Sequence, residues 1–417
     1  MKRRQFIRGM ATATATASLF SENPLSLTFR SALAAEGKTL VVVFQRGGCD
    51  GLNVVVPYTE PNYYRIRPTI AIPAPDAGNP NSALDLDGRF GLDPNMTGFH
   101  QLFQEGALAV MPTTHYDNAS RSHFSSQHYI ETGKPLSRTG QQPDDDGWLN
   151  RHMQTQVLPS SFRAVSMGRN EIAQSLVGAA DAKTISNLGD FGLGIDENEQ
   201  TMLLQRINQV YNQPTGELTN HQLLHRFGSG LVQDLNVIGQ IREQEYIPDN
   251  GVVYPGNGLG NDLRQIAQLI KANVGLEIAT VSIGGWDTHS NQANRLPPNL
   301  GRFSDAITAF YRDMGSMMSD VVVLTATEFG RTSYENGSQG TDHGYASSWF
   351  AMGGGIQGGI YGDWPGVEDD QLRNGRFLES TVDCHDIYGD ILVNHMLNNN
   401  LDAVLPGHNY QSLGLFG

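Results

Sequence analysis

Four polar clusters in this 417-residue chain hold residue types able to bind a cation or attack an ester. The first is Gly47-Gly48-Cys49-Asp50-Gly51-Leu52-Asn53. Its glycines let the backbone bend sharply, so the Asp50 carboxylate can face a crevice and hold a cation, or simply close its own turn. The second is Thr113-Thr114-His115 followed by Ser120-Arg121-Ser122-His123-Phe124-Ser125-Ser126-Gln127-His128. A serine at a helix start sets its hydroxyl beside free backbone N–H groups, where an anionic ester can meet a nucleophile, although N-capping explains one such serine equally well. The third, Gly284-Gly285-Trp286-Asp287-Thr288-His289-Ser290-Asn291-Gln292, puts a carboxylate and an imidazole two residues apart in a loop. Both can reach one divalent metal, or each other without one. The fourth joins Thr327-Glu328-Phe329-Gly330-Arg331-Thr332 to Gly340-Thr341-Asp342-His343-Gly344. It offers two acids and a histidine as ligands, with an arginine able to grip an anion bidentately.

Something must hold these clusters together, and the apolar runs say what. Residues 38–44, 107–111, 277–283, 320–324 and 348–352 are short, apolar and rich in β-branched types, which predicts buried strands. Helical spacing of apolar residues predicts helices over 97–105, 198–211, 217–244, 261–274, 302–319 and 384–399. Strand and helix in alternation imply an α/β fold with a mostly parallel central sheet and helices on both faces. In such sheets ligands bind beyond the carboxyl ends of the strands, and each of the four clusters lies beside a predicted strand. Residues 59–95 and 133–147, rich in Pro, Asn, Asp and Gly, are expected as surface insertions on one domain over 35–417. Gly353-Gly354-Gly355-Ile356-Gln357-Gly358 matches a dinucleotide fingerprint literally but leads into a loop, not a helix. No GxSxG, GxxxxGK[ST], HExxH or CxxC occurs, which weakens serine-hydrolase, nucleotide, metalloprotease and thiol-redox readings.

The chain opens Lys2-Arg3-Arg4-Gln5-Phe6-Ile7, runs through a weakly apolar Ala/Thr stretch, and reaches Ala32-Leu33-Ala34. That order predicts a twin-arginine signal peptide over 1–34 and delivery to the periplasm or outside the cell. Its removal takes five basic residues and one acid from a net charge of −15, leaving −19. So acidic a surface argues against nucleic acid and anionic lipid as partners. No later stretch has the roughly 18 consecutive apolar residues of a membrane span. Two cysteines, Cys49 and Cys384, are too few for a disulfide scaffold, and a single bridge between them stays open.

The motifs RRQF, GGCDGLN, SHFSSQHYIETG, GGWDTHSNQ, TEFGRT and ENGSQGTDHG leading to GGGIQGGIYG resemble, in the same order, those of domain-of-unknown-function family 1501. That family is similar in turn to the alkaline phosphatase and sulfatase superfamily. The resemblance implies a three-layer sandwich with metal at the strand carboxyl ends. It matches Asp50 to a ligand of one metal, Asp287 and His289 to ligands of another, Glu328-Phe329 to a further acid–histidine pair, and His343 with Asp342 to the last. Ser122, or else Ser120, matches the nucleophile. Asp287 and His289 stand closer together than that superfamily's pair, and Phe329 replaces a histidine, so two metals, one or none stay open.

These features lead to an expected exported hydrolase of phosphate or sulfate esters, acting on a small or polymeric anionic substrate. A divalent metal (Zn, Mn, Ca or Mg) would sit on Asp50, Asp287, His289, Glu328, Asp342 and His343, with Ser122 as nucleophile. Arg331 or Arg121 would steady the anion, while His123 and His115 carry protons. The Tat translocase would be its partner during export. The rivals are a non-catalytic polysaccharide- or protein-binding protein on the same fold, and a mononuclear metal centre doing other chemistry, redox included.

Overall fold

The computed structural model describes residues 37–117, 119–134, 146–156, 162–191 and 245–417, with isolated residues between them. Its strands are β1 (Thr39–Gln45), β2 (Val55–Val56), β3 (Leu84–Asp85), β4 (Gly91–Leu92), β5 (Leu108–His115) and β6 (Ala164–Met167). There follow β7 (Lys183–Ile185), β8 (Ile278–Ile283), β9 (Val321–Thr327), β10 (Ser347–Gly353), β11 (Gly359–Ile360) and β12 (Val382–Asp383). Nine of them form one sheet in the order β11-β5-β10-β9-β1-β8-β6-β7, with β12 also on β5; β2, β4 and β3 form a second, small sheet.

Strand β1, TLVVVFQ, is buried along its whole length, as a central strand covered on both faces must be. It lies parallel to both β8 and β9. Because side chains alternate, Val41 and Val43 enter one core and Leu40, Val42 and Phe44 the other. After two short helices, α1 (Gly51–Val54) and α2 (Pro61–Ile66), the first core is closed by α3 (Thr97–Gln104), α6 (Gly258–Lys271) and α7 (Gln292–Met314), through residues such as Phe99, Leu263 and Phe303. The second is closed by α4 (His123–Thr132), α5 (Trp148–Thr155) and α8 (Cys384–Asn394), through Ile130, Trp148 and Ile387. Helices therefore cover both faces of an α/β sheet, as the pattern predicts.

Only β10 runs against the rest, antiparallel to β5 and to β9. An antiparallel strand starts at the edge where its parallel neighbours end, so the segment before β10 reaches the same rim as the segments after β1, β8 and β9. All five predicted strands are present. Strands β6 and β7 were not visible in the sequence: four and three residues are too short for a period to register.

Helix α7 starts ten residues before the predicted 302, because Pro297 and Pro298 read as a breaker yet lie inside it. Its first turns are held by burial of Leu296, Leu300 and Phe303. It ends at Gly315 (φ 52°) and continues only as a 3₁₀ segment to Asp320. Of the expected helices over 198–211 and 217–244 only scattered residues are described, helical at 199, 202–203, 205–206, 234–235, 237–239 and 241–242; the rest of both, most of the 133–147 insertion and the signal segment 1–34 lie outside the described residues. Cys49 and Cys384 are both buried and free, so the bridge left open between them is not formed.

A candidate metal centre

Beyond the strand ends, three imidazoles surround one carboxylate. Asp287 and His289 stand in the loop after β8, His343 in the segment before β10, and His123 opens α4 after β5. The Gly47-Gly48 turn after β1 makes the close approach possible. A Cβ on Gly47 (φ +129°) would stand 2.6 Å from the Asp287 backbone nitrogen, and one on Gly48 (φ +72°) 2.4 Å from the Phe329 ring. Only glycine fits both that space and that backbone.

His289 Nε2 lies 3.0 Å from Asp287 Oδ1 and 3.1 Å from His343 Nε2, and His343 Nε2 lies 3.4 Å from the same Asp287 oxygen. Ligand atoms held about 2.1 Å from one metal stand about 3.0–3.4 Å apart, so these spacings suit a shared ion. His123 Nε2 approaches the other Asp287 oxygen at 3.7 Å. His123, Asp287 and His343 offer ligand atoms all within 4.8 Å of one another. The side chains of Asp287 and His289 are nearly half exposed, so the cluster is open to solvent.

The outward nitrogens decide where the inward protons are. His343 Nδ1 faces the Arg121 carbonyl at 2.8 Å; a carbonyl only accepts, so Nδ1 donates. His289 Nδ1 faces Asp342 at 3.0 Å, and His123 Nδ1 faces Glu328 at 2.8 Å. Both acids are ionised. The His289 hydrogen bond holds Asp342 below the usual carboxylate range. Burial pushes Glu328 up, but hydrogen bonds from His123, Gln127 and the Gly47 backbone outweigh it and leave it lowered. Both imidazoles therefore donate from Nδ1, and in its neutral form each of the three rings turns an Nε2 lone pair inward. Two lone pairs 3.1 Å apart repel unless a cation or a shared proton lies between them. Carboxylate–histidine pairs of this kind fix tautomer and ring angle at metal sites. Glu328 and Asp342, expected as ligands, thus orient His123 and His289 instead. His123, expected to carry protons, has its Nδ1 on Glu328 and its Nε2 3.7 Å from Asp287.

Electrostatics agree. Burial would raise the Asp287 carboxyl, but the hydrogen bond and charge of Arg331, with His289 and His123 adding, hold it below the usual range. Burial holds His343 below its ordinary value, which keeps the ring neutral. Hydrogen bonding to Glu328 raises His123 against the opposing effect of burial. Phe329 packs its ring 4.9 Å from both His123 and His343 and wedges them in place.

The remaining expected site residues are placed differently. Asp50 is buried, and both its oxygens are taken by Arg67, at 2.6 and 2.8 Å; Gln292 donates to it as well. Asp50 is therefore spent in an ion pair and does not join the cluster. Arg331 is also buried. It donates to the carbonyls of Gly47, Gly48, Trp286 and Thr341 and to Asp287, which leaves it bracing the site rather than gripping a substrate. His115 is 1 % exposed and burial pushes it down to about 3, so it cannot carry a proton near neutrality. Ser120 accepts from the Ser122 backbone N–H and so holds the turn. Ser122 is the exposed N-cap of α4, makes no capping bond, and lies between the two residues that touch His343 and Asp287. Arg121 is exposed, with its guanidinium 4.9 Å from the Phe377 ring centroid.

Two residues with no role assigned from the sequence complete the site, one of them at the end of the third cluster. Gln292 accepts from the hydroxyls of Thr288, at 2.8 Å, and Thr341, at 2.7 Å, so its amide ties the Asp287/His289 loop to the Asp342/His343 segment. Arg67 comes from the insertion at 59–95, where nothing marks one arginine from another.

Comparison with known proteins bears on this geometry in outline. Residues 262–415 match a family model described as a protein of unknown function, DUF1501, a span that includes Asp287, His289, Glu328 and His343. No curated protein sequence matches the chain. Among solved structures, it is similar to the zinc-complexed C-terminal periplasmic domain of EcEptC from Escherichia coli, at 8 % identity and TM-score 0.35 over 76 % of this chain and 73 % of that one. It is also similar to a protein in the alkaline phosphatase superfamily from Vibrio parahaemolyticus, at 10 % identity and TM-score 0.36 over 78 % and 62 %. The alkaline phosphatase of the Antarctic bacterium TAB5 is similar at 11 % identity and TM-score 0.36 over 87 % and 99 %. Likeness at this level carries no site residue or activity across.

Proposed function

We propose that this protein is a metal-dependent hydrolase of phosphate or sulfate esters, exported by the twin-arginine pathway to the periplasm or beyond. The observation that supports it is the set of three inward Nε2 atoms around Asp287, each ring locked from outside by an acceptor. The donor set fits a divalent ion: neutral imidazoles with one carboxylate suit zinc, manganese or iron better than calcium or magnesium, which prefer oxygen. Asp287, His289 and His343 would hold the ion, with His123 as fourth donor. When bound, the metal neutralises the anionic group under attack and makes that group more electrophilic.

The chain's own residues supply the rest. Ser122 presents its hydroxyl beside the positive N-terminal end of the ten-residue α4. Its Oγ would bond to phosphorus or sulfur as the ester oxygen leaves; the serine proton goes to solvent and the leaving oxygen takes one from water. A second water then releases the anion and restores the serine. Arg331 and the Gly47-Gly48 turn hold Asp287 in place meanwhile. The direct test is turnover of 4-nitrophenyl phosphate and 4-nitrophenyl sulfate by zinc- or manganese-loaded protein. Loss of about 10²-fold or more on Ser122→Ala, with metal retained, supports the reading. Turnover that survives the substitution removes Ser122 as nucleophile.

One observation favours a second reading of the same centre. With Asp50 spent on Arg67, the donors around Asp287 form one compact group with room for one ion, which suits a mononuclear centre doing other chemistry, redox included. Iron in natively exported protein, with no ester turnover, would select it.

A further inference from the structure

On a chain of net charge −15, two arginines stand at the mouth of the centre with little opposing charge of their own. Arg121, whose carbonyl holds His343, is exposed, and no carboxylate among the described residues pairs with it. Arg376 is 54 % exposed, and among the described residues the carboxylate it meets is Asp342 Oδ2, at 3.6 Å. Both guanidiniums lie over the ring of Phe377, at 4.9 and 5.6 Å from its centroid. The turn that carries Arg376 is fixed to the site. Ser333 N–H donates to the Arg376 carbonyl at 3.0 Å, and Thr332 bridges Phe377. Two exposed cations against one aromatic ring are the chemistry that binds a carboxylate, sulfate or phosphate group.

That pair is not where the scissile group would sit. Asp342 holds His289 with one oxygen and faces Arg376 with the other, so the Arg376 guanidinium stands a whole imidazole and a carboxylate outside the inward Nε2 atoms. An anion within about 2 Å of a metal on those nitrogens cannot also touch it. Resting on the ester-hydrolase reading above, we propose that the natural substrate carries a second anionic group besides the ester, and that Arg121 and Arg376 bind it.

The test uses the zinc-loaded full chain and two kinds of probe, methylphosphonate and a series of α,ω-alkane bisphosphonates of increasing length, with affinity read by calorimetry. The expected result is that one bisphosphonate length binds about tenfold or more tightly than methylphosphonate. An Arg121→Gln/Arg376→Gln variant should lose that gain, read as the ratio of its bisphosphonate to its methylphosphonate affinity in zinc-loaded protein, so that any effect on the metal through Asp342 cancels. Equal binding of all probes by wild type, or a gain that persists in the variant as simple chelation would, overturns the second-anion site and leaves the ester reading standing. Failure of every probe to bind protein that holds zinc overturns the ester reading itself.

Discussion

Each imidazole of the centre has an outward partner, and that partner sets what the inward nitrogen can do. Removing the charge of Glu328 by Glu328→Gln leaves an amide that accepts from His123 more weakly, so the ring loses its preferred tautomer. Zinc affinity should then fall about 10- to 100-fold with the fold intact, measured by competition against a chelating dye. Asp342→Asn should act alike through His289, whereas unchanged affinity in both would mean that the inward nitrogens meet no metal. Much of this was legible at the residue level. Asp287, His289 and His343 stand out because acids and histidines crowd beside predicted strand ends. Roles were less legible than residues. Glu328 and Asp342 are ligand types, and only the direction their oxygens face shows that they grip a ring instead. His123 reads as a proton carrier until its Nδ1 is seen to be committed.

Between residues and fold lies the bracing of two loops that the chain supplies from distant positions. Arg67 and Asp50 form a fully buried pair, and Gln292 links that pair to Thr288 and Thr341. Arg67→Leu leaves the Asp50 charge uncompensated and should cost about 3–5 kcal/mol in denaturant unfolding. Adding Asp50→Leu should restore part of it; if the double variant is no more stable than the single, the pair is not the cause. Gln292→Ala breaks the tie between the ligand loops, leaves buried hydroxyls without their acceptor and should cost about 1–3 kcal/mol. The same variant should weaken zinc binding, because the loops carrying Asp287, His289 and His343 then move independently. The strands were legible because unbroken apolar runs have few other uses. The reversal of β10 was not, since pairing direction leaves no mark in the pattern of a fully buried strand. The early start of α7 was hidden by Pro297-Pro298, whose local preference is overruled by burial against the sheet.

For the molecule as a whole, acidity and burial make opposite demands on histidine. Burial drives His115 to about 3 and His395 to about 4, against about 6.5 for the free side chain. Both folded values lie below the unfolded one. The unfolded chain therefore takes up protons first, and stability present above pH 6.5 falls as pH drops toward the folded values. Each histidine contributes a slope of about 1.4 kcal/mol per pH unit well inside that window. His115→Phe should remove its share of the slope between about pH 6 and 5, before the lowered carboxylates begin to titrate; an unchanged slope contradicts the assignment. Among the described residues no helix is long and apolar enough to cross a membrane. The central claim is that three histidines and Asp287 hold a metal, and elemental analysis of natively exported protein, wild type beside Asp287→Ala/His343→Ala, tests it most directly. About one equivalent of zinc, manganese or iron in the wild type, absent from the variant, is the predicted result. No metal in the wild type, or the same metal in both, contradicts it and leaves a shared proton between His289 and His343 as what holds the cluster together.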